Sequence, residues 1–116
     1  MKLRDKILNC QDIQKEFVEV KEWDVTVEVR GMSGKQRAEM TEAAYNPKDQ
    51  TVTFAKVYSR IMIETVYDKD TGEKIFNIGD EDMLNNKSGA ALEKVVSVAM
   101  RLSGLGGDEQ AEISKN

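Results

Sequence analysis

Apolar positions recur along this chain with two different periods, and each predicts a different kind of element. Leu3, Ile7 and Leu8 stand at i, i+4 and i+5 among charged neighbours, which predicts a short helix within residues 2–14. From Phe17 the period falls to two. Phe17, Glu19 and Lys21 alternate with Val18, Val20 and Glu22, and Val25, Val27 and Val29 alternate with Thr26, Glu28 and Arg30. Two adjacent strands joined as a hairpin follow, with the three valines of the second strand on its buried face and Thr26, Glu28 and Arg30 turned away from the core. Trp23 falls at the tip of this hairpin or at the start of its second strand.

Ser33 and Gln36 have the spacing of a capping box, which opens a helix that runs to about Tyr45. Its apolar stripe is thin, with Arg37, Met40, Thr41 and Ala44 on one face, and Pro47 prevents its extension. Thr51–Thr53 is a β-branched run suited to a short extended segment. Between Phe54 and Tyr67 two templates overlap. Phe54, Val57, Tyr58, Ile61 and Thr65 fit a helical face, whereas Ile61, Ile63, Thr65 and Tyr67 fit a strand. The density of β-branched residues favours a helix over 54–60 that passes into a strand over 61–67. Asp68–Glu73 is a turn by composition, with Gly72 free to take positive φ, and Lys74–Phe76 returns toward the core.

The most regular helical pattern spans Ser88–Ser103. Ala91, Leu92, Val95, Val96, Ala99 and Leu102 form one broad apolar face, Ser88 caps it, and Gly104 ends it with Leu105 folding back. The expected fold class is α+β: a small antiparallel sheet with three to four helices, dominated by this long C-terminal core helix. Residues 1–105 form one domain, and 106–116 form a polar tail expected to be disordered.

A chain of 116 residues can bury one core but not a deep enclosed substrate chamber as well, which favours a binding module over a cofactor enzyme. The net charge of -4 is concentrated in the second half, because 61–116 carry 6 basic and 11 acidic residues against 11 and 10 in 1–60. No dense basic stripe is present, so nucleic acid is not an expected partner. No apolar run reaches the ~18–20 residues of a spanning helix, and the charged start leads into no signal-peptide stretch. A membrane is therefore not expected as a partner, and the expected location is the cytoplasm.

Candidate chemistry is sparse. Histidine is absent and Cys10 is the lone cysteine, which removes the common nucleophile–base pairs, an internal disulfide and multi-thiolate metal sites. Asp68–Glu73 does not fit a calcium loop, because loop position 5 is Gly72 and position 12 is Gly79. Asp80–Asp82 is three acids at the mouth of a short helix running to Asn86, where capping accounts for them more simply than a divalent cation does. Gly104–Gly107 follows a helix and lacks the Lys-Ser/Thr ending of a phosphate loop. No catalytic, cofactor-binding or metal-binding residue is assigned, no cofactor is expected, and the chain is not expected to be an enzyme.

Four pieces in order carry a resemblance: Trp23–Arg37, Val66–Phe76, the acidic Asp80–Asp82, and Lys87–Leu105. Over about residues 15–105 the chain resembles the tail assembly chaperones of long-tailed bacteriophages, in particular the XkdN-like group of prophages. The resemblance implies a non-enzymatic role: binding the tape measure protein, keeping it soluble until the tail tube polymerises, then dissociating and staying out of the mature virion. It also implies a longer product in many such phages, made by ribosomal frameshifting, whose extra domain recruits tail tube protein. Lys115-Asn116 is what a slippery heptamer would encode, so such a product is an expectation here. A homo-oligomer on the client is a further expectation. The competing reading is a structural tail or tail-completion protein retained in the virion.

A chaperone of an amphipathic helical client needs exposed apolar surface rimmed by charge. Among six methionines, Met62, Met83 and Met100 lie off or at the margin of the apolar stripes and are candidates for adaptable partner contact, as is Trp23 for an aromatic anchor. Core filling is the competing role for the methionines, and core or edge packing for Trp23.

Overall fold

The computed structural model describes residues 2–105. The tail expected over 106–116 lies outside the described residues. The chain forms a short helix α1 (Leu3–Leu8), a hairpin β1 (Lys15–Val20) and β2 (Val25–Arg30), then α2 (Gly34–Ala44). Two short strands follow, β3 (Tyr45–Asn46) and β4 (Thr51–Val52), then α3 (Tyr58–Thr65) and β5 (Val66–Tyr67). Finally come α4 (Glu81–Asn85) and α5 (Gly89–Leu102). β1, β2 and β5 make an antiparallel sheet in that order, and β3 and β4 pair as a separate two-stranded ribbon. The class is the α+β arrangement expected from the sequence. No helix among the described residues is long and apolar enough to cross a membrane.

The hairpin has the register the alternation predicts, from Lys15 opposite Arg30 to Val20 opposite Val25. A turn over Lys21–Trp23 joins the strands, closed by Asp24 in the left-handed region at φ 53°, a conformation Asp tolerates better than most residues. Val18, Val20, Val27 and Val29 point at the core. Val25 shares their face but lies at the hairpin tip, beyond the core, where it is 45% exposed. Glu28, expected to face solvent, is only 4% exposed. β2 is the central strand, so Glu28 is flanked by Phe17 on β1 and Tyr67 on β5, and Arg30 folds over it.

α5 lies across α3 and the β1–β2 hairpin and supplies the centre of the core through Ala91, Leu92, Val95, Val96, Ala99 and Met100. Met100 continues the stripe one turn beyond Val96, whereas Leu102 is only partly buried. The Ser88 hydroxyl accepts from the Ala91 amide at 3.3 Å and caps the helix. At the other end Gly104 (φ 79°) donates to the Arg101 carbonyl at 3.1 Å and Leu105 donates to Met100 at 2.7 Å, the two bonds of a Schellman stop. Leu105 is 1% exposed, so this stop also anchors the chain in the core.

The capping box of α2 is present. Gln36 N–H donates to the Ser33 hydroxyl at 3.2 Å, and Ser33 N–H donates to the Gln36 side chain at 2.9 Å. The loop before α2 docks on the end of α5, where Met32 N–H donates to the Ser103 hydroxyl at 2.8 Å. Gly31 runs so close that a Cβ there would stand 2.6 Å from the Leu102 carbonyl oxygen.

The region expected to be helix over 54–60 and strand over 61–67 is arranged differently. Phe54–Val57 is a 3₁₀ turn, α3 then continues through Thr65, and only Val66–Tyr67 is strand. Tertiary packing overrides β-propensity here. α3 is packed by α5, α4 and α2, and Ser59, Ile61, Met62, Ile63 and Thr65 are all buried, so it has little polar face to betray its period. Thr65 satisfies its hydroxyl on the Ile61 carbonyl at 2.7 Å, and Ser59 bonds Asn85 of α4. The first helix also differs from the span of 2–14: it stops at Leu8, and residues 10–14 run without regular structure into β1.

Candidate functional site

The surface shows three features that carry recognition chemistry. The first is α1. None of its residues is buried, and Leu3, Ile7 and Leu8 are 73%, 63% and 64% exposed. Six residues are too few for a helix to be stable alone in water, so an apolar stripe on such an arm gains its stability by covering something. Lys2, Arg4 and Lys6 interleave with the stripe and make the arm basic, with Asp5 paired to Arg4 at 3.2 Å.

The second feature is the stretch from Ile75 to Met83. Ile75 is 42% exposed, Ile78 65% and Met83 68%. Asp80, Glu81 and Asp82 interrupt it. Asp80 shapes the local backbone, because its carboxylate accepts from the Asn77 amide at 2.9 Å while the Asn77 side chain accepts from Gly79 N–H at 2.9 Å. This reciprocal cap starts the turn that leads into α4. An apolar stretch rimmed by acids suits a partner that is apolar and basic.

The third feature is the outer face of the sheet. Arg30 Nε donates to Glu28 at 2.5 Å, a second Arg30 nitrogen donates to the Gly72 carbonyl at 3.2 Å, and the guanidinium sits 3.9 Å from the centre of the Tyr67 ring. A cleft of ≈ 550 Å³ lies beside them, bounded by Gln11, Ile13, Lys15, Arg30, Gln36 and Tyr67. Below it Glu64 accepts from Lys74 and from Gln36, both at 3.0 Å. Partial burial alone would push the Glu64 carboxyl up, but those two hydrogen bonds and the nearby Lys74 and Arg60 charges outweigh it and hold the group below its ordinary value.

The four candidate contact residues are not brought together. Met62 and Met100 are both 0% exposed and belong to the core, which corrects their reading as surface contacts. Each lies outside the obvious stripes for a physical reason: α3 is buried on several sides, and Met100, rather than Leu102, completes the buried stripe of α5. Trp23 is partly buried and packs against the core at the hairpin tip. Met83 alone is broadly exposed. Sequence reasoning missed α1 as a surface element and Phe17, 61% exposed on β1. The sequence carried no signal for either, because the helical spacing of Leu3, Ile7 and Leu8 is the same whether the stripe is covered by the body or left open.

A family model described as phage tail assembly chaperone matches residues 2–116. The fold is similar to the "Structure of bacteriophage HK97 tail assembly chaperone", with a TM-score of 0.61 and 19% identity over 85% of this chain and 91% of that one. No curated protein sequence matches. The chain, by the family model that spans nearly all of it, belongs to the phage tail assembly chaperone family.

Proposed function

We propose that this tail assembly chaperone binds the tape measure protein, keeps that long helical chain soluble while the tail is built, and leaves as tail tube subunits polymerise. The observation that carries the reading is the uncovered stripe Leu3, Ile7 and Leu8 on α1, a basic amphipathic arm tethered to the folded body by an irregular segment. Helix-on-helix contact of this kind suits an amphipathic helical client, and a short stripe gives individually weak contacts that can be displaced. Met83 and its acidic surroundings supply a second contact of opposite charge.

In this reading the protein makes and breaks no bond. It acts in the cytoplasm of the bacterial host, without nucleic acid or membrane as partner, and it is absent from the mature virion. Several copies on one client, and a frameshifted product that recruits tail tube protein, belong to the same reading. Co-expression with the tape measure protein tests it. The expected result is a soluble client that co-elutes with this chain; an insoluble client with no complex overturns the reading.

A further inference from the structure

β1 is the open edge of the three-stranded sheet. The far side of β5 is occupied by the returning chain, through the Tyr67–Lys74 bridge and the Ile75 amide donating to Val66 at 3.4 Å. No strand among the described residues lies beside the outer edge of β1. Gly31 N–H donates to the Gln14 carbonyl at 2.9 Å, which sets the phase of the ladder. Glu16, Val18 and Val20 exchange backbone bonds with β2, so Lys15, Phe17 and Glu19 turn their N–H and C=O groups outward. The side chains of these three residues stand on the solvent-facing side of the sheet and are exposed.

We propose that this edge pairs with the same edge of a second copy, antiparallel about a two-fold axis at Phe17, and joins two three-stranded sheets into one of six strands. A two-fold contact must be self-complementary, because every residue pair off the axis occurs twice. β1 meets that condition. In this register Phe17 faces Phe17, and Lys15 faces Glu19 at both ends of the pairing. A slip of two residues toward the hairpin tip sets Lys15 against Lys21 and Phe17 against Glu19. The opposite slip sets Glu19 against Ile13 and Phe17 against Lys15. Both slips lose the two ion pairs and the aromatic contact.

Lys15 has a further reason to seek an acid outside its own chain. Across the ladder it faces Arg30, a like charge, and Glu28 is already held by Arg30 at 2.5 Å against 3.9 Å from Lys15. Charged residues on an edge strand commonly discourage pairing. Here their signs alternate symmetrically about the central Phe17, which permits one partner strand, its own copy. The contact is short, so the dimer is weak and fills at high protein concentration. It stands whether or not the tape measure protein is the client.

Amide hydrogen exchange on the full chain, with sedimentation at low and high concentration, tests this directly. The mass should rise from 13.1 kDa toward twice that value. The amides of Lys15, Phe17 and Glu19 should gain roughly tenfold protection as it does, while those of Glu16, Val18 and Val20 stay protected throughout. Glu19→Lys, which sets lysine against lysine at both ends, should return the chain to a monomer, and Glu19→Asp should leave the dimer intact. A constant mass of 13.1 kDa, a dimer that survives Glu19→Lys, or a dimer whose Lys15, Phe17 and Glu19 amides exchange freely would overturn the proposal.

Discussion

Arg30 and Glu28, two residues apart on the central strand, project from the same face of the sheet, and the Arg30 guanidinium roofs a carboxylate that is 4% exposed. The pair is what makes an acid tolerable there, since a buried charge without a partner is costly. Arg30→Ala should therefore destabilise the fold by about 1.5–3 kcal/mol, the usual worth of a hydrogen bond to a charged group. Adding Glu28→Gln to that variant should recover part of the loss. Urea denaturation of the two variants checks both statements, and an unchanged midpoint in Arg30→Ala would count against the pairing.

Gly31 and Gly34 make a contrast within four residues. A Cβ on Gly31 would meet the Leu102 carbonyl oxygen at 2.6 Å, whereas one on Gly34 meets nothing within 4 Å. Gly31→Ala should cost about 1–3 kcal/mol by forcing the end of β2 away from α5. Gly34→Ala, at the first residue of α2, should stabilise by about 0.5 kcal/mol through the lost freedom of the unfolded chain. Thermal melts of the two proteins read the difference in sign.

Glu64 gives the fold an acid-side dependence. Its carboxyl is held below the ordinary value of 4.5, with burial opposing and the Lys74 and Gln36 hydrogen bonds prevailing. A depressed folded value means that the contribution is present above the unfolded value and is lost as pH falls through the folded one. Stability should drop as pH falls below about 4.5, and Glu64→Gln should flatten that part of the curve. Chemical denaturation from pH 7 to pH 3 measures it; equal slopes in both proteins would contradict the assignment.

How far the sequence reached depended on how one-sided each element's environment is. The hairpin and α5 each have one core face and one wet face, so Val27 and Val29, and Leu92 with Val96, showed their periods plainly. The Ser33–Gln36 box and the Gly104 stop were legible because their chemistry is local. α3 was not, since Ile61, Met62 and Ile63 are consecutive and all buried, a pattern that belongs equally to a buried strand. The surface was the least legible part. Burial of Met62 and Met100, exposure of Met83, and the uncovered stripe of α1 are set by what other elements do or fail to cover, and no spacing within those segments encodes that.

Whether the protein stays in the finished particle separates a chaperone from a built-in tail component. Mass spectrometry of purified virions should find no peptides of this chain while detecting the tape measure and tube proteins. Peptides at a fixed copy number would favour a structural tail role instead.

If α1 takes hold of the client, co-expression of the tape measure protein with an arm variant will break the complex. Leu3→Asp, Ile7→Asp and Leu8→Asp together remove the stripe without touching a buried residue, so stability of the body should stay within about 0.5 kcal/mol of the parent. The client should remain soluble and in complex with the parent chain and pass to the pellet with the variant. A client that stays soluble and bound with the stripe removed would contradict it.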